Sequence, residues 1–246
     1  MEKKSNEISN GVKPKILLGL TTTKKSDWRG KVREIDRLGL KEIALFPTCL
    51  KIKERRELYK LLEKTGLEKI PFVHVRHDFK KWEFAYLEKR FGTEVFNTHF
   101  DKVNDEFIAE GKRYLKRTYL ENNRPLSDNS IPLLDIFAGF CLDISHWEDY
   151  GRRQKETNFK KLPKLLKKYK VGCCHISAVR KEPYFEIENK KKIKYYNSHW
   201  LRDLSELDYV KKYVKYLPPV CAIELENSLE EQLKVKKYLE KIISRK

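Results

Sequence analysis

The chain has 246 residues, 40% of them apolar and 12% aromatic, which is enough for one sizeable core. No apolar run approaches the roughly 20 residues that a membrane-spanning helix needs, so a membrane partner is not expected. Its 54 Lys and Arg against 36 Asp and Glu leave a formal charge of +18. That balance would suit a phosphate-rich partner. The lysines, however, are spread through stretches such as KIKERRELYKLLEKTG and EEQLKVKKYLEKIISRK, which are first of all solvated helix faces.

The opening MEKKSNEISNGVKPK lacks the apolar core of a secretory signal. Residues 1–14 therefore read as a polar tail, 15–246 as a single domain, and a cytoplasmic location is expected. Cys49, Cys141, Cys173, Cys174 and Cys221 form no C-x-x-C pair. They read as free thiols in a reducing compartment, not as a disulfide framework or a zinc knuckle.

In chain order, a first strand is expected in ILLGL, with 17–20 at its heart, followed by a helix over 26–38. EIALF (42–46) precedes a helix over 52–64, FVHVR (72–76) one over 80–90, and EVFNTHF (94–100) one over 102–116. The fifth strand, RTYLEN (117–122), has room for a short helix near 131–138, and the sixth, GFCLDISH (139–146), precedes a helix over 157–169. VGCCHIS (171–177) leads into a long connection over 177–204, of a length that often serves as a lid or binding loop. A helix over 205–216, the eighth strand VCAIELEN (220–227) and a last helix over 228–243 complete the chain. The helices rest on three- and four-residue apolar spacing, as in Leu233, Val235, Tyr238, Leu239 and Ile242. Gly39, Gly66, Gly92 and Pro218-Pro219 punctuate them.

Strands that alternate with helices imply parallel pairing with the helices outside. No G-x-G-x-x-G or Walker loop follows any strand, which lowers the nucleotide-binding open-sheet alternative. The expected fold is α/β, a single (β/α)8 TIM barrel, with ligands at the C-terminal ends of its strands.

The histidines are His74, His77, His99, His146, His175 and His199, and all but His74, placed in mid-strand, fall at strand ends or in loops. A lone strand histidine is ordinarily a satisfied core residue. A carboxylate inside a strand is harder to accommodate, because burying it unpaired costs several kcal/mol. Glu121, Asp143 and Glu224 on the fifth, sixth and eighth strands, with His175 on the seventh, therefore point to a shared divalent-metal site. In CLDISHW, Asp143 would project inward while His146 lies just past the strand.

The stretches YLENN, GFCLDISHW, CCHIS and CAIELEN give an ordered pattern that resembles the xylose isomerase-like superfamily of divalent-metal TIM barrels. Its members include sugar isomerases and epimerases, inosose dehydratases and zinc-dependent abasic-site endonucleases. The resemblance covers the chain from about residue 15. It implies Glu121, Asp143, His175 and Glu224 as four metal ligands, and His146 as the histidine that meets substrate or a second metal. The endonuclease branch holds three zinc ions. His74 and His99 resemble its early histidines, and His199 in NSHW resembles the histidine of its D-x-H motif, with Asn197 standing where the aspartate would be. The branch's Gly-Ala-His is absent from LLGLTTTKK, and its Pro-Tyr is missing from HVRHDF.

The leading expectation is a metal-dependent isomerase or epimerase acting on a sugar, sugar phosphate or polyol. Glu121 and Glu224 would be base and acid, and His146 would orient a substrate hydroxyl. Arg180 in HISAVR resembles the arginine that clamps substrate in epimerases, with Lys181 an equal candidate because the spacing there is one longer. Trp147 and Trp200 would wall the site. The alternative is a zinc-dependent phosphodiester hydrolase of the abasic-site endonuclease kind, with nucleic acid as partner. A barrel that binds metal or ligand without turnover is a third reading. One to three ions of Zn, Mn, Co or Mg would suit the donors.

Overall fold

The computed structural model describes residues 13–23, 26–153, 161–188 and 190–244. Most of the predicted tail (1–12) and the start of the helix expected over 157–169 lie outside them. The first apolar run divides into β1 (Lys15–Leu17) and β2 (Gly19–Thr21). Then follow α1 (Trp28–Arg37), β3 (Glu42–Phe46), α2 (Ile52–Glu63), β4 (Lys69–His74), α3 (Lys81–Phe91) and β5 (Val95–His99). The middle of the chain supplies α4 (Asp105–Gly111), β6 (Thr118–Glu121), α5 (Leu133–Ile136), β7 (Phe140–Asp143), α6 (Ile144–Arg153) and α7 (Leu162–Lys168). It ends with β8 (Val171–Ile176), β9 (Ala178–Glu188), β10 (Lys191–Ser198), β11 (Val220–Ile223) and α8 (Leu229–Ile243).

Nine strands form one sheet in the order β1-β11-β8-β7-β6-β5-β4-β3-β2, and the paired strands run parallel. Its two end strands, β1 and β2, are separated in sequence only by Leu18, so the sheet nearly closes into a barrel. At this seam β1 pairs with β11 only as far as Leu17 and Ala222. A side chain on Gly19 would place its Cβ 1.9 Å from the Ile223 carbonyl oxygen, so only glycine fits there. The fully buried Gln232 of α8 carries the seam onward. Its Oε1 accepts from Gly19 N at 2.8 Å, and its Nε2 lies 3.0–3.1 Å from the carbonyls of Gly19, Leu225 and Asn227. A side-chain amide thus satisfies backbone groups that the strand break would leave buried and unpaired.

Strand alternation divides the apolar residues into two clusters. The outer one joins strand residues such as Ile43, Val73 and Ile176 to helix residues such as Leu58, Leu87 and Leu239. The inner one holds Leu17, Ala44, Phe46, Phe72, Tyr119, Cys141, Cys173 and Ala222. Two residues beyond five of these, on the same strand face, come His74, Glu121, Asp143, His175 and Glu224. The inner cluster is therefore an apolar floor under a polar layer. Its contact with that layer is direct: the Phe46 and Phe72 rings lie 5.1 and 5.4 Å from the ring of His175.

Several elements differ from the sequence reading. The helix expected over 102–116 is α4 followed by a 3-10 turn over 112–117, tightening just past Gly111, a poor helix former. Residues 204–212 and 214–216 are also 3-10 turns, anchored by Tyr209 to the Ser177 carbonyl and by Tyr213 to Glu148. The strands expected over 139–146 and 220–227 end at Asp143 and Ile223, and α6 starts directly at Ile144. The connection over 177–204, expected as a loop, contains the antiparallel hairpin β9–β10. Its sequence alternates between two faces, and Lys190 at the turn has φ 64°. All five cysteines are free, as expected. No helix among the described residues is long and apolar enough to cross a membrane.

Candidate metal centre

The strand ends deliver the polar layer. His74, expected in mid-strand, is the last residue of β4, which brings it to the mouth with Glu121 at the end of β6 and Asp143 at the end of β7. His175 lies on β8, Glu224 one residue past β11, His99 at the end of β5 and His146 in the first turn of α6.

His175 is the hub. Its Nδ1 lies 3.2 Å from Glu121 Oε2, 3.3 Å from Glu224 Oε2 and 4.0 Å from Asp143 Oδ2. His74 Nδ1 and His99 Nε2 each lie 3.6 Å from a Glu121 oxygen, and His146 Nε2 lies 3.9 Å from Asp143 Oδ2. Three overlapping sets have ligand atoms within 4.8 Å of one another: His74–Glu121–His175, Glu121–Asp143–His146 and Asp143–His175–Glu224.

Neighbouring side chains hold these groups in place. Asn97 donates to Glu121 Oε2 at 2.9 Å. Asp143 Oδ1 accepts from the backbone N–H groups of Ser145 and His146, both at 2.8 Å, and from the Ser145 hydroxyl, so it caps α6. The Asn122 amide brackets the Asp143 backbone at 2.8 and 2.9 Å. His199 Nδ1 lies 3.1 Å from the Glu224 carbonyl oxygen, and Asn197 Nδ2 lies 3.3 Å from His146 Nδ1.

Some buried polar atoms are left over. His74 Nδ1, both ring nitrogens of His175 and Asp143 Oδ2 are buried without a hydrogen-bond partner. Burial depresses the His74 imidazole to about 3, so its nitrogen lone pair is free. Burial pushes Glu224 up, but His199 and His175 outweigh it and hold the carboxyl at about 2. Burial acts likewise on Glu121, where His175, His99 and His74 prevail and keep it well below the usual range. Burial works against a charge on His175 as well, but Cys141, Glu121 and Glu224 prevail and push it well above the ordinary imidazole value. A divalent cation would stand in for that positive charge among the carboxylates, and the converging His, Glu and Asp donors could hold one.

Above this layer opens a cavity of about 780 Å³ whose lining includes Arg76, Lys102, Arg124 and Arg153. Arg76 is fixed by Asp78 at 3.0 Å, and the same Asp78 oxygen accepts from the fully buried Arg55 at 3.0 Å. Arg153 pairs with Asp149 and stacks over the rings of Tyr150 and Tyr195 at 4.1 and 4.9 Å.

The structure brings together Glu121, Asp143, His175, Glu224, His74, His99 and His146, with His199 on the cavity wall. It does not bring Arg180, Lys181, Trp147 or Trp200 to that wall. Arg180 packs over Tyr184 at 4.4 Å and donates to Ser198, while Trp147 packs on Tyr213 and Tyr216. Lys181 and Trp200 are exposed. On β9 the residues that reach the cavity are Tyr184 and Glu186, further along the strand than Arg180 and Lys181, while Trp147 belongs to α6. The sequence reading missed Arg76, Lys102, Arg124 and Arg153, along with the wall residue Tyr184. Arg76 carried a signal, since it follows His74 by one strand period.

No family model matches the chain, and no curated protein matches it.

Proposed function

We propose that the protein is a divalent-metal hydrolase of phosphate diesters, built on a (β/α)8 barrel of the xylose isomerase-like kind. In that count β1 and β2 are two halves of one strand, interrupted at Leu18. The observation that carries the reading is the pairing of three overlapping carboxylate–imidazole sets with a cationic rim of Arg76, Lys102, Arg124 and Arg153. A floor of His and carboxylate donors with Lys/Arg above it suits an anionic ester whose charge rises during the reaction.

Glu121, Asp143, His175 and Glu224 would hold the principal cation, with His74, His99 and His146 as further ligands. A cation bound there supplies Lewis acidity at a phosphoryl oxygen and lowers the pKa of water. The chain's own groups do the rest. Arg76, held by Asp78, presents a planar fork of donors to phosphate oxygens, and Lys102 and Arg124, which share Asp101 at 3.3 and 3.9 Å, add a net positive charge at the rim. Asn97 and Ser145 keep the carboxylates of Glu121 and Asp143 oriented.

The sugar isomerase reading shares the same four-residue set, but its substrate clamp is wanting. Arg180 is engaged with Tyr184 and Ser198, and Lys181 is off the cavity wall.

The test is turnover of bis(p-nitrophenyl) phosphate and nicking of an abasic-site duplex by zinc- or manganese-loaded protein, with metal content measured alongside. The hydrolase reading expects metal-dependent cleavage that Glu121→Gln abolishes. Aldose–ketose interconversion without any diester cleavage would overturn it.

A further inference from the structure

We infer that the outward face of the β9–β10 hairpin is a contact surface for a nucleic-acid strand, gripping it beyond the metal site. The choice of partner rests on the phosphodiester reading above.

The hairpin register assigns its side chains to two faces. Tyr184 opposes Tyr195 and Glu186 opposes Ile193, and all four line the cavity. The intervening pairs, Phe185 with Lys194 and Ile187 with Lys192, therefore share the other face. There Phe185 is 53% exposed and Ile187 82% exposed, the two most exposed large apolar side chains among the described residues. A hairpin packed for stability alone would turn such residues inward. Here the inward face is already occupied by the cavity wall, and the apolar pair is left to solvent between lysines.

Lys192 and Lys194 are exposed, and Lys192 Nζ sits 4.4 Å over the Phe185 ring. Apolar side chains interleaved with lysines form a repeating pattern along a β-ribbon. It matches a strand in which flat bases alternate with phosphates: a base stacks on Phe185 and packs against Ile187, while phosphates draw Lys192 off the Phe185 ring and Lys194 outward. The opposite face of the same ribbon walls the cavity that holds Arg76, Arg124 and the metal donors. A chain bound along the hairpin would thus run toward the cationic rim. The net charge of +18 supports the same polyanionic partner at long range.

The experiment compares the metal-loaded wild type with Phe185→Ser/Ile187→Ser and with Lys192→Gln/Lys194→Gln. It measures affinity for a fluorescein-labelled abasic oligonucleotide across a salt series, and turnover of bis(p-nitrophenyl) phosphate, which is too small to reach the hairpin's outer face. The apolar pair should weaken oligonucleotide binding about tenfold or more. The lysine pair should lower the slope of log affinity against log salt by about 1.5. Both variants should keep small-diester turnover, which also reports that they fold. Unchanged oligonucleotide affinity in both variants would overturn the inference, as would variants that lose binding to phosphatidylserine vesicles and keep binding to the oligonucleotide. Hairpin-dependent oligonucleotide binding without any small-diester turnover would instead sink the hydrolase reading and leave the contact surface standing.

Discussion

Two of the clusters of buried charge on this barrel are finished differently. Between α2 and α3, Arg55 and Glu83 are both fully buried. Arg55 donates from Nε and Nη2 to the two Glu83 oxygens at 2.6 and 2.8 Å, and from Nη1 to Asp78 and the Leu50 carbonyl at 3.0 and 2.9 Å. Glu83 accepts in addition from Tyr59 and from the Lys80 backbone. No side-chain atom of either residue is left without a partner. At the barrel mouth, by contrast, His74, Asp143 and His175 keep buried polar atoms unused. A saturated cluster has done its work on folding, whereas an unsaturated one has capacity reserved for something outside the chain.

The comparison breaks most readily at Arg55. Replacing it with Met leaves Glu83 buried without its cation and should cost about 3–5 kcal/mol of stability. Zinc stoichiometry of the surviving folded protein should not change. Urea unfolding with metal analysis checks both, and a small stability loss coupled to lost metal would erase the distinction between the clusters.

Lys31 stands between the two cases. It is buried at the barrel seam, where its Nζ meets Thr21 Oγ1 at 2.6 Å and the Leu225 carbonyl at 3.2 Å, and burial lowers it from 10.5 to about 8. The unfolded chain holds this proton up to about pH 10.5, while the native state gives it up near pH 8. Between those values the unfolded state binds more protons, so native stability rises with pH; below pH 8 the penalty is fully present. The span corresponds to an order of 3 kcal/mol. The stability of the wild type relative to Lys31→Met should therefore improve by up to that amount from pH 7.5 to pH 10.5. A pH-independent difference in urea midpoints would count against a strained lysine.

A smaller effect is expected where a neighbouring side chain only orients a group of the unsaturated cluster. Asn97 donates to Glu121 and contributes no ligand atom to the three sets. Asn97→Ala should weaken zinc affinity by about 10–100-fold, read by competition with a chromogenic chelator. Unaltered affinity would reduce Asn97 to a packing residue.

Much of the mouth was legible in the sequence because strands impose a period of two. Acidic residues at Glu121, Asp143 and Glu224 inside otherwise apolar runs have few structural explanations, and their phase relative to Tyr119, Cys141 and Ala222 sets them on the inner face. The rim was not legible in the same way. Arg76, Lys102, Arg124 and Arg153 look like any other surface cations, because pairing with Asp78, Asp101 and Asp149 is what surface cations ordinarily do and only the fold turns all four to one mouth. The hairpin was hidden by its own charges: the alternation in YFEIE and KIKYY is strand-like, yet it lies in a stretch rich in Lys and Glu that reads as a loop. Gln232 gave no signal at all, because a helix glutamine that completes a barrel seam has the same local pattern as one that faces water.

The finest separation between the clusters is at Asp143, where one oxygen is structural and the other is not. Oδ1 takes the bonds that cap α6, and Oδ2 has no partner. Asp143→Asn can keep the cap through its remaining oxygen and replaces the unused oxygen with an NH2 group beside His175 and His146. Folding should then be altered by no more than about 1 kcal/mol without metal, since no hydrogen bond is removed. Zinc affinity should fall, because an amide nitrogen offers no lone pair to a cation. Thermal unfolding with and without zinc measures both: the variant should match the wild type in chelator and lose the zinc-induced rise in Tm. A large loss in chelator would mean that Oδ2 was already serving the fold, and that an orphaned atom at this mouth is no guide to a bound ion.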